Sequence, residues 1–361
     1  MLYYFVDDDI TQGGKTVVKK QQVMTILRPV QDPFIHKRFV ETDAIKSVEI
    51  EEKTGKVTIE IALSKLNQPE NDQLNEALTN KLIQAGANDV TIHFTKLPEE
   101  QLKKYPQYQV MMSPLLNGES DTIFLAIASG KGGVGKSTVT ANLAVNLARR
   151  GKRVGIIDAD IYGFSIPHMM GVTKKPTLQG NKIIPVEAHG VKVMSMDFFV
   201  EGNDPVIWRG PRLGKMLNSF FIEVDWGELD YLLLDLPPGT GDMALNVHTT
   251  LPSSKEIIVT TPHETAAHVA SRAGKMALNT QHDIVGVVEN MSYFESQLTH
   301  EREYIFGQGG GKWLAKELNA PLLAEIPLGQ PKDRGSIYAE DEVIGNIYYQ
   351  MAEAVIHETE R

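Results

Sequence analysis

The sequence predicts an α/β protein: a mainly parallel sheet with helices on both faces, preceded by a small α+β domain. Three observations predict it. From Asp121 onward, apolar runs of strand length alternate with segments of helical spacing, the pattern of parallel strands joined by crossover helices. One strand–helix junction carries Gly130-Lys131-Gly132-Gly133-Val134-Gly135-Lys136-Ser137, the G-x-x-x-x-G-K-S spacing of a phosphate-binding loop. Ahead of Asp121 the pattern is different: a hairpin, a helix and one more strand, then a polar linker.

Composition sets the bounds. The chain has 361 residues, of which 42% are hydrophobic, enough for a large domain with a sizeable core and a small one beside it. A net charge of −10 argues against a surface coated for nucleic acid. No apolar run approaches the length that spans a bilayer, so no membrane partner is expected. Residues 1–10 carry aspartates and no basic segment, so they do not read as a signal peptide, and a cytoplasmic location is expected. Cysteine is absent. That excludes disulfides and thiol nucleophiles, and removes the usual ligands of an iron–sulfur cluster.

The elements follow in order. Residues 1–22 are polar and poorly periodic, and read as a flexible lead-in. The small α+β domain is placed at 23–96. Within it a helix start is read at 23–27, and strands at 44–52 and 56–63 flank the Lys53-Thr54-Gly55 turn. A helix at 71–85 puts Leu74, Leu78, Leu82 and Ile83 on one face, and a last strand occupies 90–94. Residues 97–120, rich in Glu, Lys, Pro, Gln and Gly, form a linker with a short helix at 99–104. The main domain is 121–361. Its strands are expected at 123–128, 154–157, 191–194, 231–234, 256–260, 284–289 and 322–326. Its helices are expected at 138–150, 212–222, 264–280 and 310–318.

The chemistry-bearing residues sit at strand ends. In the glycine loop, backbone N–H groups can point at phosphate oxygens beside the positive end of a helix. Lys136 would reach the β- and γ-phosphates, and Ser137 would hold Mg²⁺. The bland alternative is a glycine turn with an incidental lysine, and the flanking strand and helix oppose it. Lys131 adds a second cation at the start of the loop. Asp158 and Asp160 end the second strand, two residues apart, where carboxylates face the ligand crevice of such folds. Asp235 follows the apolar run Leu232-Leu233-Leu234 and can accept from Mg²⁺-bound water. Pro237 and Pro238 stiffen the exit, and Gly239 lets its N–H approach a γ-phosphate. Histidines are scattered, without metal-ligand spacing, and read as structural or surface groups.

With Lys131 in place, Lys131-Gly132-Gly133-Val134-Gly135-Lys136-Ser137 resembles the deviant Walker A loop of ParA/MinD-like P-loop NTPases. Further motifs extend the likeness: Asp158-Ala159-Asp160-Ile161-Tyr162-Gly163, Trp208-Arg209-Gly210-Pro211, Asp235-Leu236-Pro237-Pro238-Gly239-Thr240-Gly241-Asp242 and Glu289-Asn290-Met291-Ser292. Together they make the stretch from Asp121 onward similar to the Mrp/ApbC/NBP35 family. Residues 23–96 resemble the small MIP18-like (DUF59) domain. The resemblance implies an Mg²⁺-dependent ATPase acting as a homodimer, with ATP cradled by Gly130 to Thr138. It implies that Asp160 orients the attacking water and that Asp158 fixes the surrounding switch. Lys136 and Lys131 would stabilise the transition-state charge, Lys131 by reaching the partner subunit's nucleotide. Asn290 would read the adenine edge, and Pro327 would line the base.

The same resemblance implies iron–sulfur cluster assembly or transfer to apo-client proteins, with a cluster bridging two subunits through a Cys-x-x-Cys pair after the Asn-Met-Ser motif. Here that segment reads Tyr293-Phe294-Glu295-Ser296-Gln297-Leu298-Thr299-His300-Glu301, without either cysteine. The usual loop cysteine of the small domain, expected at 66–69, is also missing, so that domain reads as a protein-contact module. These departures leave the nucleotide machinery intact. They keep open an alternative: a nucleotide-switched regulator that binds DNA or a protein partner, with Lys174-Lys175 and Arg209 to Arg212 as the basic candidates.

Overall fold

A strand buried on both faces must be apolar throughout, and the central strands of this chain are. The computed structural model describes residues 18–117, 120–160, 163–199, 210–251, 253–296, 298–333 and 335–360. The motif residues Ile161, Tyr162, Trp208 and Arg209, and most of the lead-in, lie outside the described residues. The chain divides into two compact units, Met1–Gln109 and Val110–Arg361.

In the first unit, α1 (Lys20–Leu27) precedes the antiparallel pair β1 (Ile45–Glu51) and β2 (Lys56–Leu63). After α2 (Pro69–Gln84), β3 (Asp89–Lys96) joins β2 in parallel. Leu78 and Leu82 of α2 are buried, but Ile83 is 49% exposed. One residue beyond Leu82 is a rotation of about 100°, enough to carry Ile83 off the buried face, where the sequence reading had put it. The Asp32 carboxylate is buried and accepts hydrogen bonds from Phe34 N, Ile35 N, Ser64 N and Ser64 Oγ. It thereby pins the turn after α1 to the end of β2. Two short helices, α3 (Glu99–Leu102) and α4 (Pro106–Met111), occupy the stretch read as a linker.

In the second unit, the strands are β4 (Ile123–Ser129), β5 (Val154–Asp158), β8 (Val186–Ala188), β9 (Val191–Ser195), β10 (Tyr231–Asp235), β11 (Lys255–Thr260), β12 (Ile284–Asn290) and β15 (Leu322–Ile326). They form one sheet in the order β15-β12-β11-β4-β10-β5-β9-β8, with β8 antiparallel at the edge and the rest parallel. Side chains alternate between two core layers. Along β4, Phe124, Ala126 and Ala128 enter one layer, and Leu125 and Ile127 enter the other. The first layer is covered by α7 (Gly210–Ile222), α8 (Asp242–Thr250), α9 (Glu264–Asn279) and α10 (Gly310–Glu317). The second is covered by α5 (Lys136–Arg149) and α11 (Val343–Thr359).

Several elements have no counterpart in the sequence reading: α8, α11, the short α6 (Ile166–Met169), the edge strand β8, and the hairpins β6 (Thr177–Gln179)–β7 (Lys182–Ile184) and β13 (Phe294–Glu295)–β14 (Arg302–Glu303). The longest, α11, buries Tyr348, Met351, Ala352 and Val355, spaced by three and four residues. Its acids lie outward: Glu353 pairs with Arg150 at the end of α5, and Glu360, just past α11, with Lys152. Such exposed pairs contribute little. The buried side chains hold α11 against α5, at about 1.5–3 kcal/mol for each large one.

Candidate functional site

Strand register builds the site. Asp235 of β10 is level with Asp158 of β5 on one side and with Ile127 of β4 on the other. Two carboxylates therefore end adjacent central strands beside the loop that leaves β4. This is the crevice at the carboxyl ends of the strands, where ligands bind in open α/β sheets. A cavity of about 680 Å³ opens there, lined by Lys131, Gly132, Gly133, Gly135, Lys136, Ser137, Thr138, Asp160 and the Pro237-Pro238 turn.

Two glycines give the loop its path. Gly135 caps α5 at φ +83°, in the left-handed region that disfavours side chains. Gly130 packs so tightly on α9 that a Cβ there would lie 2.3 Å from Ala270 N, a backbone atom that cannot swing aside. Val134 is buried, and its carbonyl accepts from Asn290 Nδ2 at 2.9 Å. Lys131 is exposed at the mouth of the loop.

Lys136 is only 5% exposed and faces a cluster of acids. Its ammonium is 2.7 Å from Asp235 Oδ1 and 3.8 Å from Asp160 Oδ2. Asp235, fully buried, also accepts from Ser137 Oγ at 2.6 Å and from Thr140 Oγ1 at 2.7 Å. Ser137 and Asp235 thus offer two hard oxygen donors side by side, the donor chemistry that Mg²⁺ takes, and the residues fit that ion.

Asp158 is the structural member of the trio. Its oxygens accept from Asp160 N, Ser165 N, Ile166 N and Ser195 Oγ, which ties the start of α6 and the end of β9 to the floor of the crevice. Burial, and then the neighbouring Asp235 charge, raise its pKa to about 8, against the pull of Lys136 and these hydrogen bonds. The folded pKa thus lies above the unfolded one of about 3.9. This group's contribution to stability is full below about pH 4 and is lost as pH rises through about 8. Asp158→Asn, an isostere of the protonated acid, should remove that slope. The difference in melting temperature between wild type and variant, followed from pH 4 to 9 without ligand, measures it. Parallel curves would mean that Asp158 stays ionised.

A smaller cavity of about 210 Å³ adjoins the first at Thr138, which lines both. Asn290 and Pro327, the two residues expected at the base, both line it, and the Asn290 amide nitrogen donates to the loop carbonyl of Val134. Gly239, at φ +91°, donates its N–H to Ser129 O at 2.8 Å, so in this state that N–H serves the loop's backbone.

Comparison with known proteins identifies the family and the fold. The family model described as "NUBPL iron-transfer P-loop NTPase" matches residues 122–356. The chain belongs to this family. A second family model, "Iron-sulfur cluster assembly protein", matches residues 20–94. An "Iron-sulfur cluster carrier protein" of Bacillus subtilis (strain 168) is 54% identical over 344 residues, covering 94% of this chain and 98% of its own. One from Mycobacterium bovis is 42% identical over 327 residues, covering 88% and 85%. A solved structure, a nucleotide-binding protein from Archaeoglobus fulgidus in complex with ADP, aligns with a TM-score of 0.51 at 40% identity, over 64% of this chain and 87% of that one. The fold is that of ParA/MinD-like P-loop NTPases with a small α/β domain in front.

The chain's own donor set is limited to oxygen and nitrogen groups and methionine thioethers. It has no thiolate to offer a cluster, and among the described residues no group of three His, Asp or Glu side chains could hold a metal ion. After Met291 the chain forms the β13–β14 hairpin, where Glu295 pairs with Arg302 at 3.1 Å. These residues do not fit a cluster held by this chain alone. The structure also brings in residues outside the sequence motifs. Thr140 and Ser195 complete the shells of Asp235 and Asp158, and Tyr338 and Tyr348 line the smaller cavity. For Tyr348 a signal was present in the apolar spacing of α11. For Ser195 there was none, because only the β5–β9 register brings it to Asp158.

Proposed function

We propose that this chain is an Mg²⁺-dependent ATPase that works as a homodimer in the cytoplasm, in iron–sulfur cluster assembly or transfer to apoproteins. The observation that carries the ATPase reading is the Lys136–Asp235–Ser137 cluster at the floor of the 680 Å³ cavity. Bound Mg²⁺ would neutralise charge on the β- and γ-phosphates, held through Ser137 and Asp235. Lys136 would leave Asp235 for the phosphates. Asp160, at the cavity wall, would orient the attacking water. Gly239 would exchange the Ser129 carbonyl for a phosphate oxygen. Lys131, exposed at the loop mouth, is free to reach a nucleotide held by a second copy. The names of the relatives support the cluster-transfer role, with the cluster as cargo whose thiolate ligands come from a client protein or a small thiol. Among the described residues no helix is long and apolar enough to cross a membrane.

Two measurements on the purified chain test this. Phosphate release from ATP should require Mg²⁺ and stop with EDTA; release indifferent to EDTA would sink the metal assignment. Anaerobic incubation with iron, sulfide and glutathione should leave a chromophore with iron after desalting. A sample that binds ATP and retains no iron would shift the reading to a second one, which the absence of cysteine favours. In that reading the chain is a nucleotide-switched regulator of a protein or DNA partner. DNA binding that depends on ATP and weakens steeply with salt would mark it.

A further inference from the structure

The wall of the smaller cavity carries a buried polar side chain with nothing to bond among the described residues. Tyr348 lines it from α11, and its hydroxyl is fully buried with no hydrogen-bond partner among the described residues. Native structures keep a buried polar group unpaired where a ligand or water completes it. Two other polar side chains of this wall are engaged. Asn290 donates to Val134 O, and the Tyr338 hydroxyl donates to Gly329 O at 2.9 Å. Tyr338 also fixes the ring of Tyr348, stacked on it at 5.9 Å and 27°. Tyr338 is itself held through its backbone N–H by Asn142 of α5. The ring that carries the hydroxyl is therefore held in place by its neighbours.

The cavity has the character of a base site. Its volume, about 210 Å³, is below the roughly 300–1,000 Å³ that holds a whole drug-sized ligand, and suits one ring system. Met291, Pro327 and Leu328 give it apolar faces on which a flat ring can lie, within a wall that is otherwise mostly polar. It continues from the phosphate cavity at Thr138, so a ligand with phosphates in the loop can place its other end here. Burial also pushes the Tyr348 phenol far above its usual range, so it remains a neutral O–H donor.

We propose that the Tyr348 hydroxyl is the group that reads the nucleobase, donating to a ring nitrogen of bound adenine. This rests on the nucleotide reading above and adds its base-recognising residue. The test is titration calorimetry of the full chain with two probes, ADP and inorganic pyrophosphate. Tyr348→Phe keeps the ring and its stacking on Tyr338. It should weaken ADP about tenfold, the loss expected for one such bond. Pyrophosphate, which has no base, should bind the variant as it binds the wild type, and the ligand-free melting temperature should not fall. Equal ADP affinities would overturn the assignment and leave the hydroxyl to a water molecule. A parallel loss of both probes with a lower melting temperature would also overturn it, in favour of a packing role. Wild-type protein that binds neither probe would sink the nucleotide reading itself.

Discussion

Lys136→Ala is expected to abolish ATP binding and to lower the melting temperature of the ligand-free protein. The first effect follows from removing the cation that meets the phosphates. The second follows from what Lys136 does without a ligand. It sits 2.7 Å from a fully buried Asp235, with Asp160 at 3.8 Å and the Asp158 side chain close by. Removing one partner of a buried pair leaves an uncompensated charge, at a cost of about 3–5 kcal/mol. In a unit of this size that corresponds to roughly 10 °C. Differential scanning calorimetry and ATP titration read the two effects separately. The double variant Lys136→Ala, Asp235→Asn should recover most of the stability, since it removes the stranded charge, and still bind no ATP. Unchanged ATP affinity in the single variant would sink the site. An unchanged melting temperature would show that the pair contributes nothing to the fold.

The sequence showed the parts of this design that repeat locally. Strands buried on both faces are continuous apolar runs, so β4, β5, β10, β11, β12 and β15 were legible within a residue or two of their ends. The glycine loop was legible because its chemistry requires consecutive residues, and Asp158 and Asp235 because each ends such a run. What was not legible arrives through tertiary packing. Ser195 reaches Asp158 because β9 lies beside β5, and Thr140 reaches Asp235 from the second turn of α5. The helix α11 was hidden by its acids: Glu353 lies on the exposed face, while the buried face carries the periodicity. The Asn290 amide shows a different limit. The resemblance implied a place beside the nucleotide, and only the folded chain shows that one of its amide N–H groups goes to the Val134 carbonyl.

The second large effect is expected at Asp160. Asp160→Ala should slow ATP hydrolysis by about 100-fold or more while ATP binds as tightly as before, or tighter. Loss of a positioned proton acceptor or water-orienting group costs about 10²–10⁴ in rate. Asp160 lies on the wall of the cavity, next to the cation that would hold the γ-phosphate. Affinity moves the other way. Asp160 and Asp235 are the two anions in contact with Lys136, and an incoming phosphate must compete with both for the ammonium. Deleting one of them favours the phosphate. Binding of ATP and single-turnover hydrolysis, measured on the same variant, separate the two terms. Asp160→Asn keeps an acceptor oxygen without the charge, and should share the gain in affinity while hydrolysing slowly. An unchanged turnover would remove Asp160 from the chemistry. Weaker ATP binding would mean that its main work is to hold Lys136 in place, and the water would then have to be oriented from elsewhere in the crevice.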